Sequence, residues 1–167
     1  MGRTAEALEG QGNAPSQIGA TLEALADAIA VRRGTGSYTD ALLSGPVDEP
    51  LKKVMEEAAE VALAAKDVEG WATSAIASAL ALEAREGAEE PTESLAVALP
   101  PEYRRSLNHL RYEAADVVYH LMVVLERFGI PLDDLAAELN MRMTDEERPA
   151  GGALLSAEDV ERGGSHG

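Results

Sequence analysis

Apolar residues recur three and four positions apart along most of the chain, which is the spacing that places them on one face of a helix. This pattern predicts four main helices and one short helix. They cover residues 18–32, 37–43, 51–67, 102–128 and 132–143. Glycine and proline residues lie between these segments and end them. No segment shows the strict alternation of a half-buried strand, so the pattern predicts an all-α fold, a helical bundle.

The predicted helices 51–67 and 102–128 each carry a full apolar face and, on a separate arc, several carboxylates. The apolar face of the first comprises Leu51, Val54, Met55, Ala58, Val61, Ala62 and Ala65. That of the second comprises Leu107, Leu110, Ala114, Val117, Val118, Leu121, Val124, Leu125 and Phe128. Because amphipathic helices normally bury their apolar face, we expect these two faces to form the core.

Three other segments lack this regular pattern. Residues 1–17 are predicted to be a flexible N-terminal arm and residues 144–167 a disordered tail, because neither has an apolar face to bury. Residues 68–100 form an insertion within the helical domain of residues 18–143, and the Ala-rich residues 71–84 inside it could be helical. The chain is therefore predicted to contain one domain with two loose ends.

Composition narrows the class of protein. Apolar residues make up 46% of the chain and aromatic residues only 4%, which suits a helical core built mainly from Ala and Leu. The absence of cysteine excludes disulfides, a zinc–thiolate site and a cysteine nucleophile. No apolar run has transmembrane length and no signal-peptide pattern is present, so a cytoplasmic protein is expected.

The formal net charge of −16 bears on possible partners. A protein this acidic repels nucleic acid and anionic membranes over long range, so neither is expected as a partner. A phosphate-rich ligand would need cations to mediate its binding. The two carboxylate-bearing helices are the candidates for holding such cations.

The carboxylates of these helices occur in pairs. Residues three apart on a helix are neighbours, so Glu57 lies beside Glu60, and Glu113 beside Asp116. If the two helices pack together, four carboxylates share one space and repel one another unless a cation binds. Oxygen ligands favour Mg²⁺, with Mn²⁺ possible, and bound Mg²⁺ keeps positions for water and substrate phosphates. The alternative is a solvated acidic face, and the spacing alone leaves both interpretations open.

Two histidines lie one turn from these carboxylates. A histidine–carboxylate site of the di-iron type normally uses Glu-x-x-His pairs, and the sequence contains none. We therefore expect His120 to be a polar contact near the site and His109 to be a surface residue.

Three segments of the chain, two of which contain a shorter acidic motif, resemble one known family. EEAAE at 56–60 with EAAD at 113–116 resembles the EExxE…ExxD signature of the all-α, MazG-like nucleotide pyrophosphohydrolases. GSYTDALL at 36–43, LKKVMEEAAEVALAAKD at 51–67 and YEAADVVYHLMVVLERFGIPLDDL at 112–135 resemble segments of the phosphoribosyl-ATP pyrophosphatase branch. The long insertion is a departure from that branch. So is the methionine before the glutamate pair, where a small residue is common.

The resemblance implies a MazG-like helical bundle completed by dimerisation into a homodimer. It also implies hydrolysis of 1-(5-phosphoribosyl)-ATP to phosphoribosyl-AMP and pyrophosphate, the second step of histidine biosynthesis. Two alternatives stay open: a housekeeping pyrophosphohydrolase of the same fold that acts on nucleoside triphosphates, and a non-enzymatic helical dimerisation module.

The spacing of the carboxylates supplies a mechanism for this reaction as a hypothesis. The ligands expected for Mg²⁺ are Glu57, Glu60, Glu113 and Asp116. Catalytic roles fall to Glu56 and Glu57, of which Glu56 binds a second ion or orients the attacking water. Lys52 and Lys53 would neutralise phosphate oxygens. The further candidates for substrate contacts are Tyr38, Tyr119 and His120.

Overall fold

The computed structural model describes residues 17–86 and 97–156, and the regular structure within them is α-helical. The helices are α1 (Ile18–Ala30), α2 (Tyr38–Ser44), α3 (Asp48–Glu86), α4 (Pro101–Phe128) and α5 (Leu132–Asn140). The prediction of an all-α fold is thus confirmed. Within the same residues, no helix combines the length and the apolar character needed to cross a membrane.

The chain divides into two compact units. Among the described residues, the first unit consists of residues 17–41 and 125–156, and the second of residues 42–86 and 97–124. Helix α3 and most of α4 therefore belong to the second unit, together with all but one of the residues that the sequence proposed for the site.

In the first unit, the carboxylate of Asp40 shapes the turn between α1 and α2. Gly34 and Gly36 both have positive φ angles, of 77° and 71°. Their backbone N–H groups donate hydrogen bonds to the two Asp40 oxygens, at 2.8 and 2.9 Å. Ser37 caps α2, since its Oγ accepts a hydrogen bond from the Asp40 N–H at 3.2 Å. The glycine stop predicted after the first helix is confirmed.

The end of α5 is fixed by a residue from the segment that follows it. Arg148 donates from Nε to the Asn140 carbonyl at 2.8 Å and from Nη2 to the Met143 carbonyl at 3.0 Å. Asn140, which is buried, donates to the Ala153 carbonyl at 2.9 Å. Residues 144–156 thus differ from the disorder predicted for them, because Arg148 satisfies carbonyls that the end of the helix leaves open. Residues 157–167, like the arm at residues 1–16, lie outside the described residues.

Helix α3 is much longer than the predicted helix 51–67. It has 39 residues and runs without a break through Gly70 into the first part of the insertion, as far as Glu86. A helical glycine costs about 1 kcal/mol relative to alanine, and the Ala-rich sequence around it offsets that cost. The helicity expected for residues 71–84 is confirmed, although they continue α3 instead of forming a separate element.

Helices α3 and α4 run antiparallel in the second unit. Glu57 of α3 lies near His120 of α4, and a carboxylate oxygen of Glu60 lies within 4.8 Å of one of Glu113. Because the later residue of α3 meets the earlier residue of α4, the helix directions are opposed. The buried positions include Glu57 and Ala64 on α3, and Glu113, His120, Met122 and Val123 on α4.

A large part of the apolar faces that were expected to form the core is exposed in the single chain. On α3, the side with Leu51, Met55, Ala58 and Ala62, here called the apolar flank, is exposed. Met55 is 72% exposed, whereas Ala64 is 1% exposed. Helix α4 packs instead against the side with Glu57, Glu60 and Ala64, here called the carboxylate flank. Val118, Leu121 and Phe128 of the predicted α4 stripe are likewise exposed.

Candidate metal and phosphate site

Three of the four predicted metal ligands converge between α3 and α4. Glu57, Glu60 and Glu113 each offer a carboxylate oxygen, and these oxygens all lie within 4.8 Å of one another. Glu57 is 9% and Glu113 5% exposed. The i, i+3 spacing on α3 presents two of the carboxylates side by side, and the antiparallel α4 brings the third to them. We call this group the carboxylate cluster.

The electrostatics of the carboxylate cluster favour a bound cation. Burial, followed by the hydrogen bond and charge of Glu60, raises the pKa of the Glu113 carboxyl. The raised pKa reflects the repulsion between acidic groups that are held close together where one of them is buried. A divalent cation would relieve the same repulsion without a proton. The oxygen-only donor set therefore fits Mg²⁺ or Mn²⁺ better than a softer metal.

Asp116, the fourth predicted ligand, is not among the three converging carboxylates. It is half-buried and lies one turn after Tyr112 on α4. The negative charge of Asp116 raises the pKa of the Tyr112 phenol. Tyr112 was not among the residues selected from sequence. Its i, i+4 spacing from Asp116 was the signal that could have identified it.

His109 contacts the carboxylate cluster, although the sequence led us to expect only a surface residue. Its Nε2 atom lies 2.8 Å from Oε1 of Glu113. The His109 side chain is 58% exposed, so it is both a surface residue and a partner of a buried carboxylate. Here too the available signal was the i, i+4 spacing on α4.

His120 is buried beside the carboxylate cluster, as expected of a polar contact near the site. Its Nδ1 atom lies 3.0 Å from the Asp116 carbonyl oxygen. Because a carbonyl can only accept, we assign the ring hydrogen to Nδ1. The distance from Nδ1 to Oε1 of Glu57 is 3.9 Å, too long for a hydrogen bond. Tyr119 packs edge-on against the His120 ring, with centroids 5.2 Å apart.

The two lysines of α3 hold Glu56 outside the carboxylate cluster. Lys53 lies 2.9 Å from the Glu56 carboxylate and 3.8 Å from that of Glu57, and Lys52 lies 3.4 Å from Glu56. The hydrogen bond from Lys53 is the main reason why the pKa of Glu56 is lowered. The structure therefore brings Lys53 to the edge of the cluster, whereas Glu56 is an ion-paired carboxylate at its margin.

Tyr38 belongs to the first unit, at the start of α2, and is 57% exposed. Its contact with substrate stays a prediction.

Known proteins match the region of the chain that contains the carboxylate cluster. The family model described as phosphoribosyl-ATP pyrophosphohydrolase matches residues 20–143. The phosphoribosyl-ATP pyrophosphatase of Limosilactobacillus fermentum is 35% identical over 124 residues, which cover 72% of this chain and 82% of that protein. The protein of the same name from Methylobacterium nodulans is 35% identical over 108 residues, covering 65% of this chain and 66% of that protein.

A longer relative matches as well. The histidine biosynthesis bifunctional protein HisIE of Bacillus subtilis is 32% identical over 112 residues, covering 67% of this chain and 36% of that protein. This chain thus spans about a third of that relative. No solved structure gives a significant match to the chain. The matched region includes every residue of the carboxylate cluster.

Proposed function

The chain belongs to the phosphoribosyl-ATP pyrophosphohydrolase family, and from this membership we propose that it hydrolyses 1-(5-phosphoribosyl)-ATP to phosphoribosyl-AMP and pyrophosphate. This reaction is the second step of histidine biosynthesis. Water supplies the oxygen that replaces the broken bond between the α- and β-phosphates. The single observation that supports this chemistry best is the carboxylate cluster, which lies within the matched region.

Mg²⁺ is the proposed cofactor, with Mn²⁺ as a substitute. Glu57, Glu60 and Glu113 would hold it directly. Asp116, three residues after Glu113 on α4, would join them or orient a bound water. When bound, such a cation polarises phosphate oxygens and offsets charge that develops at the attacked phosphorus. An acidic protein needs this compensation before a polyphosphate can approach.

The lysines and Glu56 have complementary proposed roles. Lys53 contacts the carboxylates of Glu56 and Glu57, and it would give up one of these contacts to bind a phosphate oxygen. Lys52, which contacts Glu56, would bind a phosphate oxygen further from the cluster. Glu56 has a lowered pKa, so it stays ionised and suits the role of accepting a hydrogen bond from water. Glu57 is buried and next to the cluster, which suits it to orient the attacking water while it binds the cation.

His120, Tyr119 and Tyr38 remain proposed substrate contacts of different kinds. His120 donates from Nδ1 to a backbone carbonyl, so its ring orientation is set by the helix. Tyr119 packs against that ring and supports it. A direct contact of Tyr38 with the nucleotide rests on the family resemblance of its segment alone.

We also propose that the protein acts as a homodimer in the cytoplasm. The support for the dimer is the apolar flank of α3, where Leu51 and Met55 are 42% and 72% exposed in the single chain. Exposed apolar patches of this kind mark protein–protein contacts. A second copy would bury the flank, and an isologous contact would pair it with the same flank or with exposed residues of α4.

The function is tested by measuring pyrophosphate release from phosphoribosyl-ATP, with and without Mg²⁺. A panel of nucleoside triphosphates and deoxynucleoside triphosphates serves as the comparison. We expect Mg²⁺-dependent release from phosphoribosyl-ATP at a kcat/KM at least about 100-fold above that of any triphosphate in the panel, a difference of about 2.7 kcal/mol in transition-state binding. A preference for free triphosphates would instead indicate the housekeeping activity.

A further inference from the structure

His109 reaches the carboxylate cluster from outside it. Its Nε2 lies 2.8 Å from Oε1 of Glu113, and the two residues are one turn apart on α4. The side chain of Glu113 is only 7% exposed, whereas that of His109 is 58% exposed. The imidazole therefore connects the protein surface to a buried carboxylate whose other neighbours are acidic.

We propose that His109 is a positioning residue, which holds the Glu113 carboxylate in the orientation where it meets Glu57 and Glu60 around a divalent cation. In this proposal Nε2–H donates a hydrogen bond to Oε1 of Glu113, which lies 2.8 Å away. The inference rests on the cation site proposed above, and it adds a residue outside the predicted ligand set.

A hydrogen bond from an imidazole suits this task. A glutamate side chain has several rotatable bonds, and a donor at 2.8 Å removes much of that freedom before the cation arrives. Nε2 can carry its hydrogen in a neutral ring, so the carboxylate keeps its charge for the cation. The lone pairs that the hydrogen bond leaves unused can still bind metal. Carboxylates that bind metals are commonly oriented by hydrogen bonds of this sort.

Helix α4 uses the same spacing a second time. Tyr112 lies one turn before Asp116, and the negative charge of Asp116 raises the pKa of the Tyr112 phenol. A side chain that can donate a hydrogen bond without carrying a charge therefore lies one turn before each of the two acidic residues of the EAAD segment. On α3, by contrast, the partner of Glu57 is the cation Lys53. The repeated arrangement on α4 favours a role in orientation over a chance surface contact.

The competing role for His109 is a direct contact with a substrate phosphate, since the ring is more than half exposed. The two roles differ in what they change. A phosphate contact would affect KM and leave cation binding without substrate unaltered. A positioning residue must change cation binding when no substrate is present.

The test measures Mn²⁺ affinity by isothermal titration calorimetry, using the full chain without substrate. The variants are His109→Ala, His109→Gln and, as a matched control at the next exposed position of α4, Asn108→Ala. We expect His109→Ala to weaken Mn²⁺ binding about 10-fold or more, as is typical when an outer partner of a metal ligand is lost. His109→Gln places an amide N–H near the position of Nε2 and should recover most of the affinity. Asn108→Ala should match the wild type.

Thermal unfolding without metal should be alike in all four proteins, because both substituted positions are exposed. An Mn²⁺ affinity of His109→Ala within about twofold of the wild type would overturn the role of His109 while leaving the cation site intact. Equal losses in His109→Ala and His109→Gln would overturn the hydrogen bond as the cause. A wild type without saturable Mn²⁺ binding would overturn the cation site itself, and this inference with it.

Discussion

The two flanks of α3 differ in exposure in the reverse of the usual way: a glutamate of the carboxylate flank is buried, whereas the apolar flank is exposed. Glu57 on the carboxylate flank is 9% exposed, whereas Met55 on the apolar flank is 72% exposed. The reason is that α4 brings its own acidic residues to the carboxylate flank and forms the cluster there. The contrast teaches that an apolar stripe identifies a surface to be covered, but not which element covers it.

The largest effect should come from a change on the carboxylate flank. Glu57→Gln removes a ligand charge and little volume, so kcat/KM should fall by at least about 100-fold, as expected when a group that stabilises transition-state charge is lost. Steady-state pyrophosphate release measures this. Glu69→Gln is the matched control, because Glu69 lies on the same helix in an exposed ion pair with Lys66. If Glu57→Gln and Glu69→Gln had comparable activity, the carboxylate of Glu57 would have no catalytic role beyond that of an exposed glutamate.

A change on the apolar flank should affect assembly. Met55→Glu places a charge on a surface that we propose is buried between two copies, so the dimer should dissociate at micromolar concentration. Light scattering coupled to gel filtration reads the mass directly. Ser74→Glu introduces the same side chain at an exposed position of α3 outside the flank and should leave the mass unchanged. A Met55→Glu protein with the wild-type mass would show that the flank is not the interface.

A smaller effect is expected at the edge of the carboxylate cluster. Lys53→Ala should raise KM for phosphoribosyl-ATP by about 10-fold, since a hydrogen bond to a charged group contributes about 1.5–3 kcal/mol. The free energy of unfolding should change by no more than about 0.5 kcal/mol, because the side chain is only partly buried. Lys66→Ala, which removes a lysine paired with Glu69, is the control for loss of an ion pair on α3. An unchanged KM would exclude Lys53 as a phosphate contact.

The smallest effect concerns pH. Glu113 has a pKa raised above its ordinary value of 4.5, so it binds its proton more tightly in the folded state than in the unfolded state. Its contribution to stability is therefore fully present below pH 4.5 and is lost as the pH rises through the raised pKa. Urea unfolding in EDTA at a series of pH values measures this. The stability of the wild type relative to Glu113→Gln should fall with pH, and a rising difference would contradict the assignment.

Much of this architecture follows from sequence because local periodicity determines helices. The bounds of α4 differ by one residue from those predicted. Residues three apart are neighbours on any α-helix, so the carboxylate pairs could be predicted once the helices were. The length of α3 was missed because residues 68–100 lack the regular apolar spacing of residues 51–67 and were interpreted as an insertion. Apolar periodicity does not show where a helix ends when the residues that follow have high helix propensity.

The site was harder to predict than the helices. Which flank of α3 packs depends on α4, which is distant in sequence, so periodicity alone could not decide it. Asp116 was grouped with Glu113 by spacing, but it does not belong to the three carboxylates that converge. His109 was assigned to the surface because the sequence contains no Glu-x-x-His pair, but an exposed side chain can still contact a buried carboxylate one turn away on the same helix.

The most direct test of the account is the effect of Mg²⁺ on the stability of the wild type and of Glu113→Gln. A ligand that binds only the folded protein stabilises it by about 2.7 kcal/mol at 100 times its Kd. We expect the wild type to gain stability with Mg²⁺ and Glu113→Gln to gain much less, while the variant without Mg²⁺ is at least as stable as the wild type because a repulsive charge is gone. Equal stabilisation of both proteins by Mg²⁺ would contradict the claim that the carboxylate cluster holds the cation.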